Sequence, residues 1–126
     1  MKFFISVDDV TAVIKSHGRR SRLLLTEEEL EARGFALGEH TMEPGGRAPA
    51  HTHEVEQEAM YFFAGEGEGR VGEERYALRP GVLMFAPAGV EHEIINTGSE
   101  PLRFVWVYCP PLPSHVSQKA YHEANK

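Results

Sequence analysis

His51-Thr52-His53, with Glu58 five residues on and His92 in a later segment, places three imidazoles and one carboxylate in a chain of 126 residues. Imidazole nitrogens and carboxylate oxygens are the donors that divalent first-row metals prefer. On an extended strand His51 and His53 point to one face, because strand side chains alternate with a period of two. Glu58 is at odd parity to His53, so a bend or bulge has to intervene before it can turn the same way. His92 belongs to another segment and joins the others only through tertiary folding. A lone His-x-His in a strand is often incidental, so the elements around these residues have to decide whether they form a site.

Glycines and a proline frame both segments. Five residues separate Gly45 from His51, and six separate Glu58 from Gly65. Five separate Gly81 from Pro87-Ala88-Gly89, with His92 and Asn96 following at fixed intervals. Written as patterns, these are G-x5-H-x-H-x4-E-x6-G and G-x5-P-x-G-x2-H-x3-N, with every fixed position filled. On these two motifs, from Gly45 to Asn96, the chain resembles the cupin superfamily of small antiparallel β-barrels. The resemblance implies an all-β fold: a single antiparallel β-barrel of the double-stranded β-helix, jelly-roll type, with a short N-terminal helical segment. It implies that His51, His53, Glu58 and His92 ligate one divalent metal ion per chain (Mn, Fe, Ni or Zn). It further implies a homodimer, since small cupins are commonly dimers. Because the superfamily spans enzymes, binding proteins and seed-storage proteins, the resemblance names no substrate.

Length and composition agree with one domain over residues 1–126, with a barrel core at about 35–109, an N-terminal arm at 1–34 and a C-terminal tail at 110–126. Thirteen basic against nineteen acidic side chains give a net charge of −6. That balance, without a Lys/Arg cluster, argues against nucleic acid or an anionic membrane as partner and leaves a small-molecule substrate or ligand. Arg19-Arg20-Ser21-Arg22 reads as a solvated turn. Cys109 is the single cysteine, which excludes an intrachain disulfide and a cysteine-rich zinc site. After Lys2 the apolar run Phe3-Phe4-Ile5 breaks at Asp8-Asp9, too short for a signal peptide or a membrane span, so the expected compartment is the cytoplasm.

Along the chain, residues 7–17 fit two patterns. Ser6 and Asp9 suit a capping box with Val10, Val13 and Ile14 on one helical face. The same stretch suits a strand pairing with Arg22-Leu23-Leu24-Leu25 across a turn at His17-Gly18. Thr26-Glu27-Glu28-Glu29 is a clearer helix start, with Gly34 as the stop after roughly two turns. Strands are expected at 35–42, 59–64, 69–71, 75–78, 82–85, 92–96 and 102–108. The turns between them include a tight hairpin at Gly72-Glu73-Glu74 and sharper ones at Arg79-Pro80-Gly81 and Ala86-Pro87-Ala88-Gly89. Each motif occurs once and 15 residues separate Gly65 from Gly81, which points to one barrel rather than two. Gly65, Gly67 and Gly69 serve turn geometry, since the helix and lysine of a phosphate loop do not follow them. Asn96 caps a turn through its side chain.

Strand parity then sorts the surroundings of the proposed centre. If His92 points inward, so do Ile94 and Asn96; if Glu58 does, so do Met60 and Phe62. Met60, Phe62 and Met84 suit either pocket wall or core, and Phe104, Trp106 and Tyr108 share a face that reads as packing. His40 is a further candidate for the pocket, and His17 suits a turn. His115 and His122 are expected at the surface, in a tail that Pro110-Pro111-Leu112-Pro113 stiffens and carries away from the last strand. That tail and Phe3-Phe4-Ile5 offer surfaces for a partner subunit. Arg47, Arg70, Arg75 and Arg103 read as surface charges.

An octahedral ion on four protein donors keeps two positions open. With iron or manganese this suits oxidative, dioxygenase-type chemistry on a small organic molecule, the reading preferred from sequence. Without redox change the same centre suits isomerase, lyase or decarboxylase chemistry, and a non-catalytic binding protein would present the same donors. Glu58 either remains a ligand or dissociates to act as general base. A structural zinc site is disfavoured because neither motif contains cysteine. Neutral histidine ligands also mean that metal affinity falls as pH drops through the imidazole range.

Overall fold

Alternating burial governs most of the segments that form strands, with Ala36–Met42 buried nearly throughout and Glu74–Leu78 mostly exposed. The computed structural model describes residues 3–126; Lys2, which opens the N-terminal run, lies outside the described residues. Among the described residues the chain forms β1 (Val13–Lys15), β2 (Arg19–Leu25), the short helix α1 (Glu27–Leu30), β3 (Ala36–Met42), β4 (Arg47–His51) and β5 (Gln57–Ala64). There follow β6 (Gly67–Val71), β7 (Glu74–Leu78), β8 (Leu83–Ala86), β9 (His92–Ile95), β10 (Leu102–Cys109) and α2 (Gln118–Ala124). The strands make two antiparallel sheets, ordered β1-β2-β3-β10-β5-β8 and β4-β9-β6-β7. This is the expected all-β jelly roll, built as two facing sheets rather than one closed ring of hydrogen bonds.

The inward residues of both sheets meet in a core that includes Leu23, Met42, Met60, Phe62 and Leu102, all essentially fully buried. Burying one such side chain contributes about 1.5–3 kcal/mol. On β5, Glu58, Met60 and Phe62 are buried while Tyr61 and Phe63 are exposed; on β9, His92 and Ile94 are buried. Gly38 on β3 sits opposite Trp106 on β10, and a Cβ there would overlap the indole ring. Asn96 closes one end of the barrel. Its Nδ2 donates to the carbonyls of Met42 and Glu100, and its Oδ1 accepts from the Gly98 amide, so the residue caps a turn and also ties β3 to that turn.

Several expectations change. Of the two patterns for residues 7–17, the strand holds. Ser6 caps only a single 3-10 turn at Val7–Asp9 before β1 begins. The β1–β2 turn falls at His17-Gly18, both at positive φ, but the register pairs Lys15 with Arg19 and Val13 with Ser21 rather than with the leucines beyond. Arg19-Arg20-Ser21-Arg22 is therefore strand, not solvated turn: Ser21 is buried and Arg22 bonds the Val10 carbonyl and the Glu39 carboxylate. Thr26 caps α1 as its sequence suggests, but the helix ends after one turn because Glu31 adopts φ 54, three residues before Gly34. β4 was not anticipated as a strand of its own.

The largest correction concerns the tail. Past the prolines the chain turns back over the barrel as a 3-10 turn (Pro113–Val116) and α2, capped by Ser117. Tyr121 on α2 is buried and its hydroxyl donates to Ser21 Oγ at 2.8 Å, while Gln118 donates to the Leu23 carbonyl. His115, expected at the surface, is only 3% exposed and packs its ring near Trp106, Tyr108 and Tyr121. The aromatic groups on this short segment find apolar surface inside the barrel mouth, and that burial outweighs the stiffness of the proline run.

Candidate metal centre

The first histidine is the last residue of β4, and it pairs directly with His92, the first residue of β9. His53 lies two residues beyond β4, in the loop that bends at Glu54-Val55 before β5. That bend supplies the parity change which the spacing to Glu58 requires. Glu58 enters from the other sheet, where it pairs with Tyr108 on β10 and Ala86 on β8. The two motifs are tied together by the Gly89 amide, which donates to the His53 carbonyl at 2.7 Å while Gly89 holds φ 81. The outcome is that His51, His53, Glu58 and His92 each offer one donor atom, all within 4.8 Å of one another.

The hydrogen bonds around these donors set their chemistry. Nδ1 of His51 lies 2.7 Å from the Pro49 carbonyl, and Nδ1 of His92 lies 3.0 Å from the Val90 carbonyl. A carbonyl only accepts, so both Nδ1 atoms carry the proton and each neutral ring keeps its lone pair on Nε2. His92 Nε2 is buried without a hydrogen bond and lies 3.4 Å from Glu58 Oε1. Two electron-rich atoms facing each other at that distance require a positive charge between them, either a proton or a metal ion. The donor set thus fits a divalent cation, with the backbone carbonyls orienting the rings as outer partners do in metal sites.

Titration follows the same geometry. Burial acts to lower His92, but the Glu58 carboxylate and the Val90 carbonyl outweigh it, so the ring is raised from its ordinary value. Burial, with the neighbouring imidazoles, holds His51 and His53 below theirs. The Tyr108 hydroxyl lies 3.1 Å from His53 Nε2 and is pushed well up by burial and by Glu58. It stays protonated and is a hydrogen-bond donor at the edge of the cluster.

The four donors form one wall of a cavity of about 420 Å³. Ala48, Met60 and Ile94 make its apolar floor; Lys15, Arg19, Ser21, His40, Phe104 and Trp106 make the facing wall, and Leu112, His115 and Tyr121 close it from the tail. Met60 therefore serves both core and pocket, and His40 joins the cavity as the sequence suggested. Phe104, Trp106 and Tyr108 do more than pack, since all three line the cavity. The arginines singled out from sequence lie elsewhere. Arg70 pairs with Glu91 and Glu93, Arg75 with Glu68 and Arg103 with Glu39, while Arg47 is exposed.

Lys15, Arg19, Ser21, His115 and Tyr121 were missed as pocket residues. The first three were within reach of sequence reasoning. A β1–β2 hairpin turning at His17-Gly18 puts Val13, Lys15, Arg19 and Ser21 on one face by parity alone. No comparable local signal marks His115 or Tyr121. No helix among the described residues is long and apolar enough to cross a membrane.

Comparison with known proteins agrees with this geometry. The chain is 36% identical over 93 residues to the L-ectoine synthase of Bordetella petrii, an alignment covering 72% of this chain and 66% of the synthase. It thus spans about two thirds of the length of that relative. Among solved structures, the ectoine synthase of P. lautus superposes with a TM-score of 0.76 at 23% identity, covering 98% of this chain and 86% of the other. The polyketide cyclase RemF of Streptomyces resistomycificus also superposes at 0.76, with 25% identity, 90% of this chain and 82% of the cyclase covered. Residues 38–108, the stretch holding both glycine-framed motifs, match the family model described as the cupin domain, and the chain belongs to the cupin family.

Proposed function

We propose that this cupin is a metal-dependent enzyme acting on a small molecule without net oxidation, in the manner of a lyase or cyclase. The observation that carries the reading is the convergence of His51, His53, Glu58 and His92 on the wall of a partly open cavity, with the His92 lone pair facing the Glu58 carboxylate. The names of the relatives support the reaction class. The B. petrii relative is named a synthase of L-ectoine and RemF a cyclase, and neither name denotes an oxygenase. This shifts the reading from dioxygenase-type chemistry, preferred from sequence, to its non-oxidative alternative.

A divalent ion held by the four donors would act as a Lewis acid toward a substrate oxygen or nitrogen. The protein's own groups supply the rest. Glu58, where it is not a ligand, is placed to take a proton, and the Tyr108 hydroxyl is a neutral donor beside it. The aromatic lining of Phe104 and Trp106 and the docked tail shield part of the cavity from solvent, which strengthens each of these interactions.

The test is turnover under argon. Protein purified without chelator is analysed for metal per chain and then incubated with L-ectoine to follow the ring-opening direction, and with a panel of small oxo and hydroxy acids. Consumption of a compound under argon, abolished by chelation and restored by a divalent metal, is the expected result. Turnover accompanied by stoichiometric oxygen uptake would overturn the non-oxidative reading. Stoichiometric metal with no turnover across the panel would favour a ligand-binding protein.

A further inference from the structure

The wall facing the metal centre has an unusual charge. Lys15 and Arg19 are directly opposite on the β1–β2 hairpin, and both line the cavity. Like charges placed across a strand pair repel, and among the described residues neither side chain forms an ion pair with a carboxylate. Arg19 is oriented by Nε donating to the Ser16 carbonyl at 2.9 Å, and Lys15 Nζ lies 5.5 Å from the centre of the Tyr121 ring. Against these two cations the cavity lining contains a single carboxylate, Glu58. A chain of net charge −6 has therefore gathered positive charge in the cavity that holds the four donors, before any metal is counted.

A second observation comes from His40, which faces the same cavity between Ser21 and Phe104 in the sheet. Its ring stacks on Phe104 with centroids 4.8 Å apart, and its buried Nε2 has no hydrogen-bond partner. Burial, with Lys15 and Arg19 nearby, holds this imidazole neutral down to about 3. It adds no charge, yet it leaves an unmet hydrogen-bonding atom in a cavity with two cations that have no carboxylate partner. A buried polar atom without a partner is unfavourable and points to a group that completes it.

We propose that Lys15 and Arg19 form the anion subsite of this cavity, which holds the carboxylate of a small acid while the rest of the molecule extends toward His51, His53, Glu58 and His92. The second half of this statement rests on the metal reading above; the first half does not. Arginine offers a planar fork matched to a carboxylate and lysine adds a point charge. His40 completes the subsite as a neutral hydrogen-bonding partner.

The experiment is calorimetric titration of the metal-loaded full chain with succinate, and with succinamide as an uncharged control of the same length. Succinate is expected to bind at least about tenfold more tightly than succinamide. Lys15→Met and Arg19→Met should each weaken succinate about tenfold, and the double variant should bind it no better than succinamide, with bound metal unchanged. Lys15→Gln and Arg19→Gln serve if the methionine variants fail to fold. The idea is overturned if the folded double variant binds succinate like the parent, if succinamide binds as tightly as succinate, or if the parent binds neither. His92→Ala separates the two readings, since it should lose metal yet keep a preference for succinate over succinamide. Parent protein that holds no metal but still loses succinate on Lys15→Met would keep the subsite and sink the metal reading.

Discussion

The two walls of the cavity are built in opposite ways. The metal-centre wall takes its donors from strand ends and one bend, with main-chain groups holding its three histidines: the Pro49 carbonyl on His51, the Val90 carbonyl on His92 and, from the second motif, the Gly89 amide on the His53 carbonyl. The facing wall takes its residues from β1, β2, β3 and β10 and from the tail, held by side chains to one another: Tyr121 and Trp106 both donate to Ser21 Oγ, and His115 packs on Trp106. A wall held by main-chain hydrogen bonds survives a change in a neighbouring side chain. A wall held by long-range side-chain contacts depends on all its members, so the two walls should fail differently.

The largest effect tests the metal-centre wall. His92→Ala should reduce bound metal by more than the roughly 10–100-fold that loss of an outer-shell partner costs. Plasma mass spectrometry on folded variant protein checks this, and unchanged metal would show that the four donors do not act together.

Acid should act mainly on the facing wall. Burial first, and Lys15 next, hold His115 neutral down to about 4, and His40 is neutral down to about 3. Both protonate near 6.5 in the unfolded chain, so below that value the unfolded state takes up protons that the folded state refuses. Their contribution is complete above pH 6.5 and is lost as pH falls toward 4, by up to about 1.4 kcal/mol per histidine for each pH unit. Urea midpoints measured across this range should fall, and less steeply in His115→Phe. An equal slope in that variant would mean that His115 is not held neutral by the fold.

Gly38→Ala should cost about 1–3 kcal/mol, because its methyl group meets the Trp106 ring. The same substitution should disturb ligand binding while leaving metal content intact, since Trp106 belongs to the facing wall alone. At the small end, Tyr121→Phe removes one hydrogen bond to Ser21 and should cost about 1 kcal/mol by thermal unfolding. A larger loss would show that the Tyr121 hydroxyl holds the whole tail in place.

The difference between the walls also explains what could be read from the amino acids in advance. Both glycine-framed motifs encode local geometry, such as Gly89 at positive φ and the bend after His53, so their spacing carries the fold and the four donors with it. Parity placed Ile94, Asn96, Met60 and Phe62 correctly for the same reason. The helix after Thr26 was read a turn too long because a left-handed Glu31 leaves no trace in composition. The facing wall depends on which of two patterns residues 7–17 adopt and on where a proline-led tail comes to rest. Both outcomes are decided by packing across the barrel. His115 and His122 look alike as tail histidines, yet only His115 is buried.

The strand that carries Lys15 is three residues long and lies at the outer edge of its sheet, paired on one side only. An edge hairpin can exchange its side chains, or even its length, without re-registering the strands that carry the metal donors. In this architecture the hairpin that carries the proposed anion subsite is separable from the strands that carry the four donors. Changes confined to the stretch from Lys15 to Arg19 would therefore alter the charge and size of the proposed anion subsite while leaving Ser21 and the four donors in place.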